Sequence, residues 1–185
     1  PFVPMSIPTY PIVHFPAVVL AVPTEPVTQF GKPLERIVKR MIPTMRQADG
    51  VGLAAPQIGL SRSLAVIEYV PRGDQKARSA ELIPLHTIVN PTILNYSNDL
   101  DELAEGCLSC PGIELFIRRS TRIVVEYYTV EGKKTTTTMS GFSARIYQHE
   151  IDHLKGKIIL DRAHGQKALI TAYRANPASF VIRPN

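Results

Sequence analysis

The segment His149-Glu150-Ile151-Asp152-His153 constrains the fold of this chain more than any other. Residues four apart lie on one face of an α-helix, so His149 and His153 can bind one cation together only if the segment is helical. Glu150 follows the first histidine and can hold a water molecule beside a bound metal and relay its proton. The segment therefore predicts a helix that carries a hydrolytic metal site.

Two histidines leave the metal site incomplete, and the third ligand must come from elsewhere in the chain. The pattern does not continue as H-x-x-G-x-x-H, because Ile159 occupies its closing position. No glutamate follows Glu150, while Asp161 and His164 lack the spacing expected of a downstream ligand. Upstream, Cys107 lies in a Glu-Gly-Cys-Leu-Ser string, and a thiolate is a strong ligand for zinc or ferrous iron. One cysteine and two histidines would leave a fourth position for water, as in catalytic sites.

A third string reads Gly50-Val51-Gly52-Leu53-Ala54-Ala55-Pro56-Gln57. Its glycines allow the backbone to approach a ligand closely, and Gln57 offers an amide donor and an acceptor. Taken in order, the three strings resemble the motifs of the peptide deformylase family, which read G-x-G-L-A-A-x-Q, E-G-C-L-S and H-E-x-x-H. The resemblance covers roughly Leu34 to Arg162.

The resemblance implies an activity, a cofactor and partners. Members of this family remove the N-formyl group from the initiator methionine of nascent chains and release formate. The implied cofactor is one divalent metal ion, Fe2+ in the native enzyme, with Zn2+, Ni2+ or Co2+ able to occupy the site in purified protein. The implied partners are N-formyl-Met nascent peptides, with ribosome association as a further expectation.

The resemblance also implies a role for individual residues. The metal ligands would be Cys107, His149 and His153. Glu150 would act as the general base, while Gln57 and the backbone N–H of Leu108 would hold the oxyanion. Glu105 is expected to pair with Arg119 and to hold the cysteine loop in place from outside the metal site.

The substrate is expected to bind in two ways. The peptide backbone would pair like an added strand with Val51, Gly52 and Gly106. The methionine side chain would enter an apolar pocket with the aliphatic stem of Arg145 at its mouth. The residues implied to form this pocket are Val51, Leu103, Phe142 and Ile146.

Apolar periodicity predicts an α+β fold of antiparallel sheets packed around a central helix that carries the HExxH motif. The predicted strands are Ser63–Val70, His86–Ile93, Arg122–Val130 and Lys134–Met139, with a turn at Glu131-Gly132-Lys133. An amphipathic helix is predicted from Leu34 to Met45, distorted at Pro43. Ser143 is the expected N-cap of the metal helix, which should end near Gly156, and a last helix is expected at about Gln166–Arg174. A polar loop with Gly73 and Asp74 is expected to border the cleft.

The length of 185 residues suits one domain, with an extended arm at 1–33 and a helix and tail at 164–185. No apolar run approaches the ~20 residues that cross a bilayer, so no membrane contact is expected. The net charge of +5 favours contact with acidic surfaces such as the ribosome, but no compact Lys/Arg cluster stands out, so solvated surface charge is the simpler explanation. We expect a monomer or weak dimer without sequence-specific nucleic acid binding.

The stretch Ser140–Ile146 resembles the organellar, mitochondrial-type branch of the family. This branch would place the protein in the mitochondrial matrix or another organelle, whereas a bacterial source would place it in the cytoplasm. The sequence begins at Pro1 without methionine, so we expect it to be trimmed, and a targeting segment is not excluded.

Three other functions stay open. A catalytically weak or inactive homologue could bind nascent chains or ribosomes, and a zinc metallopeptidase could use the same helix motif. Cys107-Leu108-Ser109-Cys110 also invites a disulfide oxidoreductase. That reading requires a cysteine at a helix N-terminus, which the local pattern does not show. Cys110 is instead expected to be a small buried residue in the cleft wall.

Overall fold

The computed structural model describes residues 7–71 and 81–180. The α-helices in these ranges are α1 (Lys32–Gln47), α2 (Gly141–Leu154) and α3 (Lys167–Ala175). The strands are β1 (Gly52–Ala54), β2 (Leu64–Tyr69), β3 (Ile83–Tyr96), β4 (Leu100–Cys107), β5 (Cys110–Ser120), β6 (Arg122–Tyr128) and β7 (Lys134–Ser140). Single-turn 3-10 helices lie at Val18–Leu20, Ala55–Ile58, Ile159–Asp161 and Pro177–Phe180. None of these helices is long and apolar enough to span a membrane.

All the strand pairs within residues 7–71 and 81–180 are antiparallel, and they form two sheets. Five strands follow the order β1-β2-β3-β6-β7, and β4 pairs with β5 in a separate hairpin. In that hairpin Glu105 lies opposite Leu115, and the register shifts at the turn so that Cys107 faces Cys110. The prediction of antiparallel sheets with few helices is therefore confirmed.

Helix α2 lies against the face of the larger sheet. Ala144, Tyr147 and Ile151 pack with side chains of β2, β3 and β6 in one apolar cluster. Burying each large aliphatic side chain contributes roughly 1.5–3 kcal/mol, which fixes the helix on the sheet. Eleven of the fourteen residues of α2 are buried, including charged ones, so those polar groups need partners inside the protein.

The start of α2 differs from the prediction. Ser140, rather than Ser143, occupies the N-cap position, and its side chain makes no capping hydrogen bond. Ser143 lies in the first turn, where its N–H donates to Glu81 at 3.3 Å and its hydroxyl donates to the same carboxylate. Glu81, which is distant from Ser143 in the sequence, therefore caps the first turn of α2, the role that was predicted for the Ser143 side chain. The helix ends at Leu154, and Gly156 follows with a φ of 68°, close to the predicted end.

Other boundaries were predicted with mixed success. Pro43 stays within α1 and does not end it, and the buried face of α1 includes Met41 and Met45. The final helix begins and ends one residue later than predicted. The β4–β5 hairpin was not predicted as strands, because Leu100–Cys107 contains three acidic residues and no β-branched residue. The expected loop with Gly73 and Asp74 lies outside the described residues.

The arm before α1 makes backbone contacts with the segments that carry, or directly follow, the three motif strings. The N–H of Val13 donates to the Gln57 carbonyl at 2.7 Å, and the N–H of Phe15 donates to the Ser109 carbonyl at 2.8 Å. Pro23 forms an isolated antiparallel bridge with Lys155, just past the end of α2. These contacts hold the two loops and the helix end at fixed positions relative to one another.

Candidate active site

Cys107, His149 and His153 meet between the end of β4 and the last turns of α2. Their potential ligand atoms all lie within 4.8 Å of one another, and Cys107 Sγ is 3.2 Å from His153 Nε2. Donors bound to one ion at about 2.0–2.3 Å lie roughly 3.3–3.8 Å apart in a tetrahedral site. The cluster therefore fits a divalent metal ion with small side-chain adjustments.

Glu105 orients the first histidine of the motif. Its Oε2 lies 2.9 Å from His149 Nδ1, which leaves Nε2 of that ring as the nitrogen for a metal. Burial alone would raise the pKa of Glu105, which is 7% exposed, but hydrogen bonds from Arg119 and His149 hold the pKa well below its usual range. Glu105 is therefore a carboxylate that can accept a hydrogen bond from the Nδ1–H of His149.

Arg119 links Glu105 to a second buried carboxylate. It binds Glu105 through Nε at 2.6 Å and an Nη at 2.8 Å, and its other Nη donates to Asp152 Oδ2 at 2.8 Å. Asp152 also accepts from Arg162 Nε at 2.9 Å. A buried charge is costly unless it is paired and hydrogen-bonded. The two arginines therefore stabilise the buried carboxylates of Glu105 and Asp152 next to the metal ligands.

Glu150 lines the cavity next to the ligand cluster and is 3% exposed. Burial raises the pKa of Glu150 above its usual value, although the neighbouring His149 and His153 oppose that shift. Among the described residues its Oε2 has no hydrogen-bond partner. An unpartnered buried carboxylate oxygen beside three metal-binding side chains suits a group that handles the proton of a water molecule.

Gly52 leaves room for that carboxylate. A Cβ at position 52 would lie 2.6 Å from Glu150 Cδ, closer than real contacts allow, because β1 passes directly over the α2 side chain. We predict that Gly52→Ala displaces Glu150 and lowers hydrolytic activity by at least about 100-fold, within the range for a misplaced proton-transfer group. Steady-state kinetics and metal content would be measured together. Full activity in a folded Gly52→Ala variant would show that Glu150 does not need its present position.

Gln57 points its two amide atoms in different directions. Its Oε1 accepts from the N–H of Ala54 at 2.8 Å, which fixes the side chain. Its Nε2 lies 3.7 Å from Cys107 Sγ, so the donor end of the amide faces the metal ligands. Gln57 is buried on the 3-10 turn after β1, and this turn places it beside the β4–β5 hairpin.

A cavity of about 810 Å³ opens onto this cluster. All seven residues predicted to bind substrate line it: Val51, Gly52, Leu103, Gly106, Phe142, Arg145 and Ile146. Leu103 is 45% exposed and so lies toward the outside of the cavity. The guanidinium of Arg145 is buried among Glu105, Asp101 and the Ile117 carbonyl, so its charge is turned away from the mouth. Leu108 also lines the cavity, next to Cys107.

The two cysteines are free thiols at the tip of the β4–β5 hairpin. A hydrogen bond with Cys110 and the electrostatic influence of nearby His153 lower the pKa of Cys107, while the same hydrogen bond and burial raise the pKa of Cys110. Cys107 is therefore the more easily ionised of the two thiols. Neither lies at a helix N-terminus, which argues against the oxidoreductase.

Sequence reasoning missed three members of the ion network. Asp152, inside the HExxH motif, binds both Arg119 and Arg162, and Asp101 binds Arg145. These partners are ten or more positions apart in the chain, so no local pattern indicates them. An acidic residue within a buried helix was the one available signal, because such a residue requires a cationic partner.

Comparison with known proteins agrees with this geometry. The polypeptide deformylase family model matches residues 9–168. A peptide deformylase of Thermotoga neapolitana is 41% identical over 150 residues, which cover 81% of this chain and 84% of that protein. A solved peptide deformylase of Synechococcus elongatus, in complex with actinonin, has a TM-score of 0.80 at 32% identity and covers 96% of this chain and 92% of that one. The class I type b peptide deformylase of Acinetobacter baumannii with bound Met-Ala-Ser has a TM-score of 0.79 at 31% identity, covering 83% and 98%.

These relatives come from bacteria, so they do not support the organellar branch that Ser140–Ile146 indicated. They do support the three-motif resemblance over most of the chain, and the antiparallel architecture agrees with theirs. The chain therefore belongs to the polypeptide deformylase family, and its activity is deformylation.

Proposed function

We propose that this enzyme removes the N-formyl group from the initiator methionine of nascent polypeptides, with Cys107, His149 and His153 as its metal ligands. The observation that supports this function is the meeting of a cysteine sulfur and two imidazoles beside Glu150, whose buried Oε2 has no hydrogen-bond partner among the described residues. When bound there, a divalent ion supplies Lewis-acid polarisation of the formyl carbonyl and acidifies a water molecule. The helix α2 would then be the central metal-binding helix of the fold.

Glu150 is proposed as the general base and acid. It takes the proton from the attacking water and later gives that proton to the leaving amine, which frees formate and the peptide. Its raised pKa supports this role, because a carboxyl group with a pKa closer to neutrality both accepts and returns a proton more easily.

Gln57 and the backbone N–H of Leu108 are proposed to stabilise the oxyanion that develops from the formyl oxygen. The Ala54 N–H fixes one end of the Gln57 amide, so its Nε2 is oriented before substrate arrives. A preoriented donor is worth about 2.7–4 kcal/mol when it faces a developing negative charge.

A Gln57→Leu variant tests the oxyanion role. We expect kcat to fall roughly 10²–10³-fold, because the leucine keeps the volume and removes the donor. Metal content should stay at the wild-type level, since Gln57 is not a proposed ligand. An unchanged kcat would remove Gln57 from the mechanism, and a change in KM alone would make it a binding residue.

The peptide is proposed to bind between β1 and β4. Among the described strands β1 pairs only with β2, and β4 pairs only with β5, so each has one open edge facing the cavity. The N–H of Glu68 donates to the Val51 carbonyl, which directs the backbone groups of Gly52 to the open side, since these groups alternate along a strand. An extended peptide can therefore add to Gly52 and Gly106 as a strand. The methionine side chain would lie against Val51, Leu103, Phe142 and Ile146.

Formate release from formyl-Met-Ala-Ser under anaerobic, iron-replete conditions tests the proposed function. We expect release from the formylated peptide and no cleavage of the unformylated one. Cleavage of unformylated peptides would instead indicate a metallopeptidase. Metal binding and peptide binding without formate release would indicate an inactive homologue.

Several finer assignments stay predictions. We infer Fe2+ as the native ion because the resemblance to peptide deformylases implies it, with Zn2+, Ni2+ or Co2+ as substitutes; thiolate and imidazole ligands also suit zinc. Metal analysis of protein purified without oxygen would test this. Contact with the ribosome, a monomeric or weakly dimeric state, and a location in an organelle or in a bacterial cytoplasm rest on composition and motif alone. Sedimentation with and without ribosomes would test the first two.

A further inference from the structure

Arg145 lies between two proposed pocket residues of α2 but does not present its charge to the cavity. The residue is 3% exposed. One Nη donates to Glu105 Oε1 at 2.6 Å and to the Ile117 carbonyl at 2.9 Å. The other Nη donates to the Asp101 carbonyl at 3.2 Å and to the Asp101 carboxylate. Its aliphatic stem belongs to the cavity wall, whereas its guanidinium belongs to the ion network.

The carboxylate of Glu105 is held from two sides. Its Oε1 accepts from Arg119 Nε and from Arg145 at 2.6 Å each. Its Oε2 accepts from Arg119 at 2.8 Å and lies 2.9 Å from His149 Nδ1. Arg119 approaches from β5 and also donates to Asp152 on α2, so it forms one link between Glu105 and this helix.

Arg145 supplies a second link to Glu105, and it does so from α2 itself, four residues before His149. Side chains at this spacing lie on one face of a helix, one turn apart. Arg145 and His149 therefore reach the same carboxylate from the same helix. Asp101 on β4 holds the opposite side of the Arg145 guanidinium and thereby prevents it from turning away.

We propose that Arg145 is a positioning residue that holds the Glu105 carboxylate against the metal ligand His149 and so couples the substrate pocket wall to the metal site. This inference rests on the proposed function. The guanidinium of Arg145 should therefore affect metal binding and turnover, whereas its aliphatic stem should affect only the substrate pocket.

Arg145→Met separates the two parts, because methionine keeps an apolar stem and removes the guanidinium. We expect the dissociation constant for Co2+, measured by chelator competition, to rise about 10–100-fold, as for other changes around metal-bound histidines. The thiolate-to-Co2+ absorption band should change, and kcat should fall while KM for formyl-Met-Ala-Ser stays near the wild-type value. Arg145→Lys should recover part of the affinity.

Arg118→Met is the matched control, since Arg118 neighbours Arg119 on β5 but is 60% exposed and should leave all three readouts unchanged. If Arg145→Met binds Co2+ like the wild type, or raises only KM, the proposal is wrong and Arg145 is a pocket wall residue. If Arg145→Met does not fold, Asp101→Asn is the alternative test, because Asp101 is 39% exposed and its replacement should leave the fold intact. This variant frees one side of the Arg145 guanidinium and should still weaken Co2+ binding. A wild type that neither binds Co2+ nor releases formate would overturn the proposed function instead.

Discussion

Replacing Glu150 with alanine should lower formate release roughly 10²–10⁴-fold while the protein keeps its metal. Glu150 is buried next to the ligand cluster, and its Oε2 has no partner among the described residues. The alanine variant therefore loses the group proposed to move a proton but none of the three proposed ligands. Steady-state formate release and metal content per protein are the two measurements.

Two further variants sharpen this test of Glu150. Glu150→Gln keeps the shape of the side chain but cannot accept a proton, so it should be as inactive as the alanine variant. Glu35→Ala removes an exposed carboxylate on α1 and should retain full activity. If metal is lost together with activity in Glu150→Ala, the residue would be part of the metal site rather than the base.

Cys107→Ala should abolish both metal retention and formate release. The thiolate is the only ligand of the proposed set that comes from β4, and two imidazoles on one helix leave one side of an ion without a protein ligand. We expect metal affinity to fall by more than about 100-fold, beyond the roughly 10–100-fold typical of residues that only support ligands. Equilibrium dialysis against Co2+ would measure the change.

Cys110→Ser is the matched control for Cys107, because the two cysteines face each other at the tip of the same hairpin. Serine can still donate a hydrogen bond to the Cys107 sulfur, so deformylation should persist. A disulfide oxidoreductase would lose its activity in both variants. Retention of metal and activity in Cys107→Ala would contradict the proposed ligand set.

The sequence pattern predicted the elements whose own residues determine them. The histidine spacing and the apolar periodicity indicated α2 and α1, and the β-branched run around Val124 and Val125 indicated β6. The β4–β5 hairpin was missed because Asp101, Glu102 and Glu105 make β4 look like a polar loop. Its strand conformation depends on pairing with β5 and on buried arginines, which are tertiary contacts.

Only the part of the candidate site that lies in the sequence motifs was predicted. The three motif strings indicated the ligand cluster, Gln57 and Glu150, because the chemistry needs those residue types at those spacings. Asp101 and Asp152 were not predicted as partners of arginines, since their roles depend on how β4 and α2 approach each other. Ser143 was placed at the N-cap by a local rule that Glu81, from elsewhere in the chain, overrides.

The proposed ligands belong to two parts of the fold between which the described strands form no pairing. Cys107 ends a strand of the two-stranded hairpin, whereas His153 lies on the helix that packs against the five-stranded sheet. An ion held by both would act as a cross-link between these layers, and its binding energy would add to the energy that keeps them together. Chelation should therefore reduce the thermal tolerance of the protein as well as stop its turnover.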